Sequence, residues 1–300
     1  MPSFRSARSQ ARYAVQQLRA TGTRRHTHKG EGKIHSLGTL RNYERSLQGA
    51  AEWLATHRLG TLRDLTPERA RAYLTARAHE VGQSQLNADR QALQAHLGER
   101  LERVPSEAER PNRLAERSRA YTPAQVALVR AYQPPHHALA TELAQAAGLR
   151  AHELLTLRPA GEQPAANHRT WRDDRFQGRA GVRYTVQGKG GLVREVCLPQ
   201  ALAERLEATR LDTPQPVTDR SIHYQQHYPI GGGQAWSQSF SDASRTALGW
   251  STGAHGLRHG YAQTRMDELQ ERGYSYADAR QIVSQELGHF REEITEVYLR

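Results

Sequence analysis

His255-Gly256-Leu257-Arg258-His259 sets two imidazoles and a guanidinium within five residues. A spacing of three puts His255 and Arg258 on one face of a helix that starts here, while Leu257 turns into a core. That face is a compact anion site. His255 and His259 at i and i+4 also read as a metal pair. The glutamate of a zinc-protease helix is absent, however, and a zinc site needs three or four ligands. No metal or cofactor is expected.

Working outward, Ala147-Gly148-Leu149-Arg150-Ala151-His152-Glu153-Leu154-Leu155-Thr156-Leu157 reads as a glycine stop followed by a new helix over 149–157. Arg150 then stands at a helix N-terminus, where backbone N–H groups favour an anion. Its planar fork suits a phosphate. Glu153, one turn on, orients it; taken alone, the same two residues are an ordinary surface pair. Further along, Val182, Tyr184 and Val186 alternate, Gly188-Lys189-Gly190-Gly191 turns, and Val196 and Leu198 alternate. The pattern predicts a β-hairpin with Lys189 at its tip. There it is either a solvated turn lysine or an acid able to protonate a departing oxygen. Glu286-Leu287-Gly288-His289 is followed, nine residues after the histidine, by Tyr298. A phenol titrates near about 10 and attacks poorly at neutral pH unless cations stabilise the phenolate or a base takes its proton. Singly, His289 reads as a helix cap and Tyr298 as C-terminal packing.

The set says more than its members. Arg150, Lys189, His255, Arg258, His289 and Tyr298 occur in this order within one region. Together they suit metal-free transfer of a phosphodiester to a tyrosine. Two guanidiniums would neutralise the non-bridging oxygens as charge builds on phosphorus and hold it in line with the phenol.

The whole chain agrees. Its 300 residues carry a formal net charge of +11 and a pI near 10.1, a balance that points to a polyanionic partner. A single cysteine, Cys197, excludes an internal disulfide framework. No run of about 18 apolar residues is present and no apolar leader follows Met1, so the chain reads as cytoplasmic.

Residues 1–35 read as a basic arm, with one helix over 7–20 and a mobile stretch at 22–32. Arg24, Arg25 and Lys29 there, and Arg41 and Arg45 just beyond, are the candidate DNA contacts. The arm either lies along a nucleic-acid backbone or is a solvated tail. Residues 36–102 form a small all-helical unit: Leu40, Tyr43, Leu47, Ala50, Ala51 and Leu54 recur at threes and fours, Thr66-Pro67 opens a helix, and Gln83 to Leu101 continues the pattern. Residues 103–120 are a charged linker. A second unit, 121–300, opens at Thr122-Pro123 and holds the whole set; its stretch 212–238 reads as loose.

Through those four segments the sequence resembles the tyrosine recombinases, the phage-integrase-type site-specific recombinases. They look like that family's first arginine box, hairpin lysine, His-x-x-Arg box and closing histidine–tyrosine box. The resemblance covers the catalytic half, about 121–300; the 36–102 unit is similar in pattern to the family's core-binding, SAM-like domain. It implies a mainly α fold with a small antiparallel sheet, in two domains. It also implies roles: Arg150 and Arg258 clamp the scissile phosphate, Lys189 protonates the leaving 5′ oxygen, His255 is acid, base and phosphate ligand, His289 bonds the phosphate, Glu153 supports the arginines, and Tyr298 forms a 3′-phosphotyrosine. It implies double-stranded DNA with specific sites as partner, a homotetramer on DNA, and service to a mobile genetic element. A type IB topoisomerase and a DNA-binding protein without catalysis are the alternatives. Members often continue past the tyrosine into a segment that docks on a neighbouring protomer, whereas this sequence ends at Arg300. The spacing from Arg258 to His289 is also longer than usual, with 265–276 read as an added segment.

Overall fold

Caps and apolar spacing build the N-terminal helices. Ser6 accepts the Ser9 N–H and starts α1 (Ala7–Gln17). α2 (Leu37–Thr56) buries Leu40, Leu47, Ala50, Ala51 and Leu54, the face the spacing predicts. Thr66 caps α3 (Pro67–Ala78), whose Pro67 sits where a missing N–H costs nothing. α4 (Gln83–Leu97) buries Leu86 and Leu93. α1 lies on α2, and α4 on both α2 and α3. The structure, a computed structural model, describes residues 6–21, 32–108, 118–188 and 190–299. By its internal contacts the chain divides into two compact units, 1–112 and 113–300.

The stretch read as a basic arm is partly core, because Ala11, Ala14, Val15 and Ile34 pack into the same cluster as Leu47 and Leu93. Arg24, Arg25 and Lys29 lie outside the described residues. Arg41 and Arg45 are exposed on α2, one turn apart.

In the second unit Thr122 and Gln125 form a reciprocal cap that opens α5 (Pro123–Ala131). α6 (Pro135–Ala147) follows. The helix expected over 149–157 is instead a single 3₁₀ turn, Glu153–Thr156. The chain then enters β1 (Arg158–Pro159), since Pro159 lacks an N–H and pushes Arg158 out of the helical region. β1 pairs antiparallel with β2 (Val182–Gln187), and β2 with β3 (Val193–Leu198), in the register Val182 to Leu198 and Gln187 to Val193. This is the predicted hairpin. α7 (Gln200–Glu207) leads to a hairpin the sequence did not advertise, β4 (Gln215–Asp219) and β5 (Ile222–Gln226). Its strands are mostly polar, and its tip residues Arg220 and Ser221 hold positive φ (50° and 66°) without the Gly or Asn that marks such turns.

α8 (Gly233–Leu248), α9 (Gly256–Glu271), α10 (Tyr276–Glu286) and α11 (Glu292–Glu296) complete the unit. Residues 265–271, in the stretch read as an added segment, continue α9, with Arg265, Met266 and Leu269 buried. Leu143, Tyr184, Trp236 and Phe240 lie in the main core. Tyr261, Ile282, Val283, Leu287 and Tyr298 form a second cluster. The fold is thus mainly α with small antiparallel sheets, as the resemblance implied. Among the described residues no helix is long and apolar enough to cross a membrane.

Candidate active site

Gly148 ends α6 in the left-handed region (φ 59°), and a side chain there would meet Tyr261 and Leu287 at under 3 Å. Only glycine therefore lets the next residues turn toward α9 and α10. Two residues on, Arg150 gives its backbone N–H to Glu153 Oε2 (2.9 Å) and its Nη1 to Oε1 (2.6 Å). Glu153 is fully buried and also accepts from Arg194 Nη2 at 2.7 Å, with Arg258 Nη1 at 4.0 Å. Burial alone would raise this carboxyl. Arg194, Arg150 and Arg258 outweigh it and hold the group well below the usual carboxylate range. One carboxylate thus orders three guanidiniums and leaves the cluster net positive.

Arg258 stands in the first turn of α9 with no exposed surface. Its Nη1 donates to the Gly148 carbonyl and its Nη2 to the Leu287 carbonyl. Nη2 also lies 3.1 Å from His289 Nε2. Burial, then Arg150, lower its pKa to about 9, so it stays charged at pH 7. Gly288 precedes His289 at φ 70°, and a side chain there would strike Arg194 Cδ at 2.8 Å. Because Arg258 has only donors, His289 Nε2 accepts and its proton sits on Nδ1. That Nδ1 is a buried donor with no partner among the described residues.

Tyr298 follows α11 and is nearly buried, at 8% exposure. Its ring centre lies 5.4 Å from that of His255, 4.8 Å from His259 and 5.1 Å from His289, with the Arg258 guanidinium carbon 5.6 Å away. Five of the sequence-selected residues and Glu153 are therefore joined within one unit: Arg150 through Glu153, and Arg258, His289, His255 and Tyr298 in direct succession. Lys189 lies outside the described residues. Its neighbour Gly188 is beside the pair, since a Cβ there would sit 3.4 Å from Glu153 Oε1 and 3.9 Å from Arg150 Nη1.

One residue of the cluster, Arg194, escaped the sequence reading. Arg194 is 1% exposed. Its signal was phase: on β3 it shares a face with Val196 and Leu198, so an arginine occupies an apolar position. His259, read from the sequence as half of a metal pair, is buried, lies with its ring tilted against that of Tyr298 and hydrogen-bonds its backbone.

All three histidines are held neutral. Burial followed by Arg258 lowers His289 to about 2; His255 is lowered to about 4 by partial burial of its ring and then by Arg258, although the residue remains exposed to solvent. Burial followed by Arg119 lowers His259 to about 4. His137, His152 and His227 are lowered by burial as well. Below the ordinary imidazole value of about 6.5 the unfolded chain binds protons that the folded one refuses. Stability from these groups is complete above about pH 6.5 and is lost as pH falls, through about 4 for His259 and on toward about 2 for His289. The melting temperature is expected to drop steadily over that window in a pH series without DNA; a flat profile would contradict these environments.

Among solved structures, the chain is similar to the XerH site-specific recombinase bound to its palindromic difH substrate in a post-cleavage complex. The TM-score is 0.56 at 14% identity, covering 98% of this chain and 90% of that one. It is also similar to the Tn1549 transposon integrase in complex with transposon right-end DNA, with a TM-score of 0.51 at 14% identity over 97% and 95% of the two chains. For a lambda integrase tetramer bound to a Holliday junction the TM-score is 0.50 at 15% identity, over 96% and 80%. No protein-family model matches the sequence, and no curated protein matches it. The chain has the tyrosine recombinase fold. Identity at this level carries the fold, and the activity has to be argued from the site.

Proposed function

We propose that this protein is a tyrosine-type site-specific DNA recombinase or integrase, serving a mobile genetic element in the cytoplasm and acting as a homotetramer on double-stranded DNA. The observation that carries the reading is the Tyr298 ring held among His255, His289 and Arg258 in its own chain. A phenol beside a guanidinium and neutral imidazoles is equipped to lose its proton and attack an electrophile. The DNA-bound recombinases and integrases that share the fold support a DNA phosphodiester as that electrophile.

In this reading the scissile phosphate enters between Arg150 and Arg258. The Tyr298 ring, which lies over the Arg258 guanidinium, turns aside to admit it. His255, neutral and open to solvent at one edge, takes the phenolic proton. The Tyr298 oxygen bonds to phosphorus and the bond from phosphorus to the 5′ oxygen breaks. Lys189, which follows Gly188 in the sequence, gives that oxygen its proton. The Nδ1–H of His289, a buried donor without a partner among the described residues, meets a non-bridging oxygen. Charge gathering on the phosphorane is met by guanidiniums already fixed through Glu153, so little reorganisation is needed at the moment of reaction. A 5′ hydroxyl from a partner strand reverses the sequence, and the phosphotyrosine retains the bond energy for rejoining.

The test is trapping. Fragments of the DNA flanking the gene are incubated with the protein, denatured in detergent, and any protein-linked DNA is sequenced and its peptide mapped. Adducts at one sequence, through the peptide carrying Tyr298, are expected. Relaxation of any supercoiled plasmid without a preferred site would indicate a type IB topoisomerase instead, and binding without any adduct would leave only a DNA-binding protein. Affinity is expected to fall steeply with salt, by roughly 10³-fold or more between 50 and 200 mM if about six phosphates are contacted. Filter binding across a salt series checks this, and a flat response would argue against backbone contacts.

A further inference from the structure

Strands β1 and β2 are antiparallel neighbours, yet the chain between them runs from residue 160 to 181. Hairpin loops usually take 2–5 residues, and connections much longer than about 12 usually do something. We propose that this connection is a strap that positions His289, with Trp171 acting through Phe290. The inference rests on reading His289 as a ligand of the scissile phosphate.

The strap's contacts collect on both sides of His289. On the near side, the Arg172 N–H donates to the Gln285 side chain and the Phe176 N–H to Glu286 Oε1, both at 2.7 Å. On the far side the Trp171 ring lies 4.7 Å from that of Phe290, and the Arg169 guanidinium carbon is 5.0 Å from the same ring. Trp171 is itself fixed: its Nε1–H donates to the Ala166 carbonyl at 2.9 Å and Arg175 stacks on it at 4.5 Å. Ala166 in turn donates to the Val193 carbonyl on β3, and Arg265 holds the Gln177 carbonyl, each at 2.9 Å. The strap is thus bolted to β3, α9 and α10.

Phe290 is held at φ 55°, a region a bulky side chain enters only when its surroundings impose it. The ring of Trp171 and the guanidinium of Arg169 are those surroundings. Fixing Phe290 fixes the backbone that leaves His289, while Arg258 holds the Leu287 carbonyl on the other side. The imidazole is then set with Nε2 toward Arg258 and Nδ1–H free. Arg258, Arg150, Arg194 and Glu153 are the charges that face it, with the Tyr298 ring alongside. Trp171 touches none of the reacting groups; it is a positioning residue.

Two measurements on the full-length protein test this. The first is the rate of adduct formation on the DNA captured by trapping, in a cycle of Trp171→Ala, His289→Ala and the double variant. Trp171→Ala is expected to slow the wild type roughly 10- to 100-fold. It should add less than about twofold in the His289→Ala background, because both act through one group. Trp171→Phe, which keeps a ring against Phe290, should restore most of the rate. The second uses nitrogen-15 histidine spectra at neutral pH without DNA, which do not depend on activity. Wild-type His289 is expected as the Nδ1–H tautomer, and Trp171→Ala should lose that single form as the ring leaves Arg258. Additive rate losses, or an unchanged tautomer in Trp171→Ala, overturn the strap. If the wild type forms no adduct, the recombinase reading fails, and the tautomer result still decides whether the strap holds His289.

Discussion

Tyr298→Phe is expected to abolish covalent capture of DNA while leaving DNA binding and folding unchanged. The substitution removes one oxygen and keeps the ring that packs against His255, His259 and His289 at 4.8 to 5.4 Å and over Arg258 at 5.6 Å. The stability cost is therefore that of a single hydroxyl, about 1 kcal/mol. Binding is governed by backbone phosphates spread along the duplex, and its salt slope should be that of the wild type. The side chains recorded against this ring are His255, His259, His289 and Arg258, none of them a hydroxyl, and water attack would release the strand without linking it to protein. Adduct formation should fall on the order of 10⁴-fold or more. Detergent-stable protein–DNA linkage, scored beside equilibrium binding on the same fragment, checks both halves. An adduct surviving in Tyr298→Phe at its wild-type level would move the nucleophile elsewhere and end the assignment.

Much of this architecture was legible because local signals and tertiary demands agreed. The α2 face, the Thr66-Pro67 and Thr122-Pro123 starts and the β2–β3 hairpin each combine a period with a stop or cap, and each forms where the pattern places it. The candidate site residues stand out for another reason: arginines and histidines recur in short glycine-marked segments, and Gly148 and Gly288 are backbone turns beside them. What stayed hidden needed knowledge of a distant partner. Arg194 looks like any strand arginine until Glu153 is known to lie against it. The same holds for Arg265, whose pairing with Glu286 is not legible in its own stretch of sequence. The helix of the presumed arm is stabilised by packing on α2, which composition alone does not disclose. The 160–181 connection has no period at all, because its order comes from contacts with α9 and α10 and not from its own repeat.

The second large effect separates the two arginines proposed as phosphate clamps. On that proposal, Arg258→Ala and Arg150→Ala are both expected to slow cleavage by at least 10²- to 10³-fold, since each removes a fixed donor aimed at developing charge. Only the first should also weaken the fold substantially. Arg258 has no exposed surface, and its removal strands the Gly148 and Leu287 carbonyls and takes one cation from the buried Glu153. Losing one side of a buried, hydrogen-bonded charge cluster costs about 3–5 kcal/mol. Arg150 is partly open, with 23% of its side chain exposed, and Glu153 keeps Arg194 when it goes. Its loss should therefore cost far less stability for a similar loss of rate. Arg258→Lys sharpens the contrast. An ammonium retains the charge, but one nitrogen cannot reach the Gly148 carbonyl, the Leu287 carbonyl and His289 Nε2 together. The lysine variant should fold better than alanine yet remain at least about 10²-fold impaired, because the planar fork sets His289 and the phosphate in register. Denaturant unfolding and single-turnover adduct rates on the three variants read these quantities separately. Equal destabilisation by Arg150→Ala and Arg258→Ala, or full activity in Arg258→Lys, would show that charge alone matters and that the buried fork has no part in arranging the site.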